Sequence, residues 1–208
     1  NRSLLESLPK RMEDEPDIYI AVLANLAYVA AKLNRFDLTL EALLSSRNLP
    51  IAVMRKLTPD LEFRIFANTY SLELAIANLT GRIDRAESLL SEISAGMKKW
   101  DDRLGAVRRA GFLHGISTLH YLMNDRKQAL AFNNELLNTI PIDQAEDQYI
   151  FAQIYHLILH FDAENFDLIT YGLKSLGRML KNREKHFEFE DHFLTKYSTR
   201  FMDLSVYS

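Results

Sequence analysis

Apolar residues along this chain recur at three- and four-residue steps, the spacing that lines one side of an α-helix. Ala86, Leu89, Leu90 and Ile93 fall at i, i+3, i+4 and i+7, and Leu130, Phe132, Leu136 and Leu137 repeat the stripe less regularly. No stretch sustains the alternation of a half-buried strand. Four short polar turns interrupt the pattern: Asn34-Arg35-Phe36-Asp37, Gly81-Arg82-Ile83-Asp84, Asn124-Asp125-Arg126-Lys127 and Asn165-Phe166-Asp167. Each holds a residue that stops one helix and an aspartate able to cap the next. Pro16, Pro59 and Pro141 sit where helices should begin, since a first turn leaves its N–H groups unbonded anyway. Thr58 is a natural N-cap before Pro59. Asp84 with Glu87, Asp125 with Gln128 and Asp143 with Glu146 have the spacing of a capping box.

These signals predict helices over residues 17–33, 37–48, 59–79, 83–99, 102–122, 126–139, 144–162, 166–181 and 185–204, with a short one around 2–12 before them. The matching turn positions Phe36, Ile83, Arg126 and Phe166 are 47, 43 and 40 residues apart, the length of a helix–turn–helix unit with long helices. The expected fold is therefore all-α: eight or nine helices in a single domain over 1–208, built of stacked antiparallel pairs. The last helix carries Phe189, Phe193, Tyr197 and Phe201 at successive i+4 steps, with Leu194 and Leu204 beside them. Its other side holds Glu188, Glu190, Asp191, Lys196 and Arg200. One apolar and one charged face is what a terminal cap needs.

At these residues the chain resembles tetratricopeptide-repeat proteins. Ala129 and Pro141 match the family's small residue early in the second helix and its proline twelve residues later. Ala86 with Gly81, Phe36 with Pro50, Phe166 and Ala27 match parts of the same pattern. The units exceed the family's usual length of about 34 residues. Over residues 17–181 the resemblance implies a right-handed α-solenoid whose first helices line a concave binding surface. Projecting the family's groove-facing steps onto those helices gives Tyr28, Asn68, Asn78, His114 and Tyr121. Aromatic and amide side chains there can stack on and hydrogen-bond an extended peptide.

Composition narrows the function classes. Hydrophobic residues make up 48% and charged residues 25%, which excludes wholesale disorder. A net charge of −3 argues against a general nucleic-acid binder. The basic clusters Arg103, Arg108, Arg109 and Lys181, Arg183, Lys185 lie beside acids and read as solvated helix faces. The longest apolar run, Ile18 to Ala31, is 14 residues, short of the roughly 20 that cross a bilayer. It reads as a helix buried nearly all round. The chain has no cysteine, which removes disulfides and thiolate chemistry and nudges the location toward the cytoplasm. It starts at Asn1 rather than methionine, consistent with a piece of a longer protein.

Candidate chemistry is sparse. His156 and His160 are four apart on one helix and share a face, the spacing of a metal clamp. With no third ligand nearby, and with Leu157, Ile158 and Leu159 between them, they read as histidines bonded beside a core. No histidine has a glutamate three residues before it, which excludes the di-iron bundle motif. Asp101-Asp102 after Trp100 reads as a helix start. Gly111 and Gly115 lack the following Lys-Ser or Lys-Thr of a phosphate loop, and Ser117 with His120 shows no sign of an activated nucleophile. The expectation is a protein without catalytic residues, metal or cofactor. It would be a monomer or weak homodimer binding a protein or peptide on its concave face. The alternative is a ligand-sensing helical regulatory domain of a larger transcriptional or signalling protein.

Overall fold

The computed structural model describes residues 14–181, 183, 187–190, 192–193 and 195–196. Among these residues the chain is all-helical, without strands. Nine helices follow one another: α1 (Pro16–Lys32), α2 (Phe36–Arg47), α3 (Ile51–Met54), α4 (Pro59–Thr80), α5 (Ala86–Lys99), α6 (Ala106–Leu122), α7 (Arg126–Thr139), α8 (Glu146–Asp162) and α9 (Phe166–Lys181). A single 3-10 turn, Ile142–Gln144, precedes α8. The expected helix around 2–12 lies outside the described residues. Of the expected terminal helix, residues 188–190, 192–193 and 195–196 are helical, while Leu194, Tyr197, Phe201 and Leu204 lie outside.

Three of the four turns share one backbone solution. Asn34, Asn124 and Glu164 adopt the left-handed conformation, with φ of 56°, 63° and 58°. The next residue's N–H donates five residues back, Arg35 to Ala30 O, Asp125 to His120 O and Asn165 to His160 O, at 2.8 to 2.9 Å. This bond closes the helix C-terminus by satisfying a carbonyl that the helix leaves open. In the fourth turn the left-handed residue is therefore Glu164, one before the asparagine that the sequence singles out. Gly81 ends α4 with φ 67°, and five residues pass before α5 begins.

The capping signals are realised unevenly. Thr58 accepts from Leu61 N at 3.3 Å, and Asp125 accepts from Gln128 N at 3.1 Å. Asp84 does not cap. Arg85 occupies the N-cap position of α5, which starts at Ala86 rather than 83, because Ala86 N is already bonded to Ile83 O in a turn. Asp143 does not cap either. It lies inside the 3-10 turn that Pro141 introduces, and Ala145 precedes α8. α6 begins at Ala106 instead of 102, because Trp100 and Leu104 turn inward and hold residues 100–105 as a loop, with Trp100 edge-on to Phe63.

The chain divides into two compact units, Asn1–Arg108 and Arg109–Ser208. In the first, α1 packs on α2 and α4, α2 on α4, and α4 on α5. Its core gathers Tyr19, Ile20, Leu23, Leu49, Val53 and Leu61, with a second cluster of Ala27, Ala42 and Leu43. Burying each Leu or Val side chain contributes roughly 1.5–3 kcal/mol. Val53 comes from α3, a short helix that the sequence did not announce. The apolar run of α1 is not buried all round: one stripe packs inward, while Ile18, Tyr28 and Val29 are exposed. A helix beside only two others has only one stripe to cover.

In the second unit, α8 packs on α7 and α9. Its core contains Ile150, Ile154 and Leu157 of α8, Ile169, Leu173, Leu176 and Leu180 of α9, and Phe193. The inward stripe of α7 is Ala129, Asn133 and Leu136, while Leu130, Phe132 and Leu137 are only partly covered. The real stripe thus runs through a polar residue, which is why the pattern looked irregular. Asn133 Nδ2 donates to Ala152 O at 3.2 Å, and Ser117 Oγ donates to Ala129 O at 2.6 Å. Two further expectations change here. Arg183 and Glu190 are not on a solvated face: both are buried and bonded to each other, Arg183 Nη1 to Glu190 Oε1 at 2.8 Å. Arg183 also pairs with Glu146 and Asp147 at the head of α8. Phe193 points into the core as a cap should, but Phe189 is half-exposed.

Candidate functional site

The second unit carries a continuous aromatic face built from α6 and α8. A helix repeats its faces every three or four residues, so His114, Thr118 and Tyr121 share one side of α6, and Phe151, Tyr155, Ile158 and Asp162 share one side of α8. The rings meet edge to face: His114 lies 4.9 Å from Phe151 and 5.3 Å from Tyr155, and Tyr121 lies 6.3 Å from Tyr155. Phe151 reaches Phe189 at 6.0 Å. Each such pair is worth about 0.5–1.5 kcal/mol beyond its buried area. At one end the Tyr121 hydroxyl donates to Asp162, and the Arg126 guanidinium lies 5.6 Å over the Tyr121 ring and 3.9 Å from Asp162.

The electrostatics of this face follow from partial burial. Burial pushes the His114 imidazole down, so it is neutral at physiological pH, and its Nδ1 has no hydrogen-bond partner among the described residues. Burial drives the Tyr155 phenol up to about 12. The hydrogen bond to Asp162 raises that of Tyr121. All three rings are therefore uncharged, and both phenols keep their protons. Such a face offers mainly apolar ring edges, with the Asp162 carboxylate and the Tyr121 hydroxyl at one end.

Of the five residues the sequence singled out, His114 and Tyr121 are thus brought into one surface. Tyr28, Asn68 and Asn78 belong to the first unit. Tyr28 is exposed beneath the Lys32 ammonium, Asn68 is exposed and accepts from Arg108 Nη1 at 3.3 Å, and Asn78 is half-buried. Phe151 and Tyr155 were missed. Their four-residue spacing on a helix was the available signal.

The first unit holds a different polar centre that the sequence reading also missed. Glu73 lies on the inward stripe of α4 and is 5% exposed. Arg47 of α2 approaches its Oε2 at 2.5 Å, donates to Thr69 Oγ1 at 2.9 Å and lies over the Tyr70 ring, 3.7 Å from its centre. Arg85 reaches Glu73 Oε1 at 3.3 Å and Glu92 at 3.5 Å, and Tyr70 donates to Glu92 at 2.8 Å. Burial and the bond to Glu92 raise the Tyr70 phenol. A charged residue breaking the stripe of Phe66, Thr69, Leu74 and Ala77 was the legible sign. Beside this network opens a cavity of about 340 Å³ walled by Leu40, Leu44, Ile76 and Leu89, with Glu73 and Arg85 among its lining.

Among the described residues, no three His, Asp or Glu side chains converge as a metal-binding group, and no helix is long and apolar enough to cross a membrane. No protein-family profile, curated protein or solved structure matches this chain.

Proposed function

We propose that this chain is a non-catalytic protein-interaction module that binds an extended protein segment along the aromatic face of α6 and α8. The row of rings from the exposed Phe151 through the partly buried His114 and Tyr155 to Tyr121 carries the reading. Rings of this kind anchor interfaces because they bury much area at little entropic cost. The segment would seat apolar side chains between the rings and a hydrogen-bonding group near Asp162. The tetratricopeptide-like solenoid belongs to the same proposal. In the first unit α1 touches both its partner α2 and the next first helix, α4. In the second, α8 touches α7 and, through the ring contacts, α6. That adjacency is what stacked hairpins require. A cytoplasmic location and a monomeric or weakly dimeric state complete the reading.

Selection of displayed random peptides against the chain tests it. The expected result is a family of segments with shared aromatic or aliphatic anchors. Their binding should weaken at least tenfold, about 1.4 kcal/mol, in Phe151→Ala and in Tyr121→Ala. Absence of enrichment, or peptides indifferent to both substitutions, refutes it.

The first-unit cavity favours a second reading, a small-molecule sensor within a larger regulatory protein. A metabolite screen read by melting temperature tests that reading. A hit whose effect survives Leu44→Trp, which fills the cavity, would exclude this site.

A further inference from the structure

His156 and His160 stand one turn apart on α8, on the side facing α7 rather than on the aromatic face. Their rings are perpendicular, with centroids 4.3 Å apart, and their Nε2 atoms face each other at 3.1 Å. Asn134 of α7 brings its Oδ1 to 2.9 Å from His156 Nε2, and the Asn165 amide lies 3.2 Å from His160 Nδ1. We propose that His156 Nε2, His160 Nε2 and Asn134 Oδ1 form a site for one borderline divalent transition-metal ion of the zinc class.

The spacing fits such an ion. Ligand atoms on bonds of about 2.0–2.1 Å lie roughly 3.3 Å apart at a tetrahedral angle and about 2.9 Å apart at a right angle. The two separations, 3.1 Å between the Nε2 atoms and 2.9 Å from His156 Nε2 to Asn134 Oδ1, fall within that interval. Both imidazoles are in the form that ligates. Burial, joined at His156 by the neighbouring ring, holds His156 at about 4, and burial lowers His160. His160 is buried, whereas His156 and Asn134 are partly exposed, so water can fill the remaining positions.

Proton accounting sharpens the case. Each neutral ring carries one N–H. As the amides stand, Asn165 donates into His160 Nδ1, which places the His160 proton on Nε2. His156 Nε2 then either accepts that proton and faces Asn134 Oδ1 bare, or carries its own and opposes it. One contact is unmet either way. A cation at the meeting point takes all three lone pairs and moves both ring protons to Nδ1. With its oxygen and nitrogen exchanged, Asn165 then accepts from His160 Nδ1–H, the outer bond that orients a metal-bound histidine. Exchanging the ends of Asn134 instead makes His156 Nε2 accept from both His160 and Asn134 into its one lone pair, a metal-free alternative that the binding experiment tells apart.

Zinc titration calorimetry and cobalt absorption on the whole chain at neutral pH test the site. The expected result is one ion per chain, with the visible band of cobalt in a nitrogen–oxygen site. His156→Gln and His160→Gln should each weaken binding at least tenfold and abolish the band. Asn165→Ala should weaken it about tenfold, and His192→Gln should leave it unchanged. Should a glutamine variant fail to fold, imidazole nitrogen NMR of the wild type decides: zinc must move the Nε2 signals of two rings, and Asn134→Ala must weaken that response. No saturable binding, or one-to-one binding that survives both glutamine variants, overturns the site.

Discussion

Both units place polar side chains in the stripes that pack their helices, and the two choices are of opposite kinds. In the first, a carboxylate on α4 is wedged between guanidinium groups from α2 and from the start of α5. In the second, the stripes of α6 to α8 hold neutral groups instead, Asn133 and Ser117 bonded to backbone carbonyls and a pair of imidazoles that burial keeps uncharged, while its buried ion pair, Arg183 with Glu190, lies beyond α9. A buried charge is tolerable only while its counter-charges stay in place, whereas a neutral polar group needs only a hydrogen bond. The packing of α2, α4 and α5 in the first unit should therefore be fragile to loss of one residue, and that of α7 and α8 in the second to a change of pH.

The largest expected effect tests the first half of that contrast. Glu73→Ala leaves Arg47 buried without its partner and should destabilise the first unit by about 3–5 kcal/mol in urea denaturation. The double variant Glu73→Leu, Arg47→Met should recover most of that loss. A single-variant cost below about 0.5 kcal/mol, typical of a surface site, would dissolve the comparison.

The pH response tests the second half. His156 titrates at about 4 when folded, against 6.5 for an unperturbed imidazole, so below that upper value the unfolded chain binds more protons than the folded one. Its stabilising contribution is thus complete above 6.5 and is lost as pH falls toward 4. Because water reaches part of the ring, the loss should be about 2 kcal/mol, less than the full shift implies. Denaturation of wild type and His156→Gln across this window measures it, and the variant should show the flatter profile.

A steric pair sharpens the comparison at smaller amplitude. A Cβ at Gly96 of α5 would collide with the ring of Phe66, and one at Gly172 of α9 with a terminal methyl of Leu157. A rigid ring cannot give way as a leucine end can. Gly96→Ala should cost about 1–3 kcal/mol and Gly172→Ala less than about 1, by melting or denaturant midpoint. The smallest effect has the opposite sign. Glu164 holds a left-handed backbone that Asn34 and Asn124 occupy at far less strain, so Glu164→Gly should stabilise the second unit by about 0.5–1 kcal/mol.

The helices were legible because their boundaries are written in local chemistry. Thr58-Pro59, Gly81 and the three Schellman turns act within six residues, and five helix starts fall within one residue of expectation. What failed was decided at a distance. The start of α6 moved because Trp100 found Phe63 on another helix, whereas that of α5 moved through a local turn, Ala86 N to Ile83 O, that the capping pattern does not announce. Asn133 and Glu73 sit where an apolar pattern predicts leucine, so the pattern looked merely weakened. Glu190 was placed with its charged neighbours because only Arg183, seven residues back, makes its burial possible. For the candidate site, helical projection found His114 and Tyr121 but could not show that Phe151 and Tyr155 would face them from the adjoining helix.

Arg183 has a further consequence for any shortened form of the chain. Its guanidinium clasps two acids at the head of α8 and Glu190 on the segment that sends Phe193 into the core. A chain cut after Lys181 would keep every helix from α1 to α9, yet it would lose that latch and the phenyl plug together. Such a truncation would shed the last hairpin's seal in one step, opening the apolar cluster that Phe193 completes and leaving a surface prone to self-association.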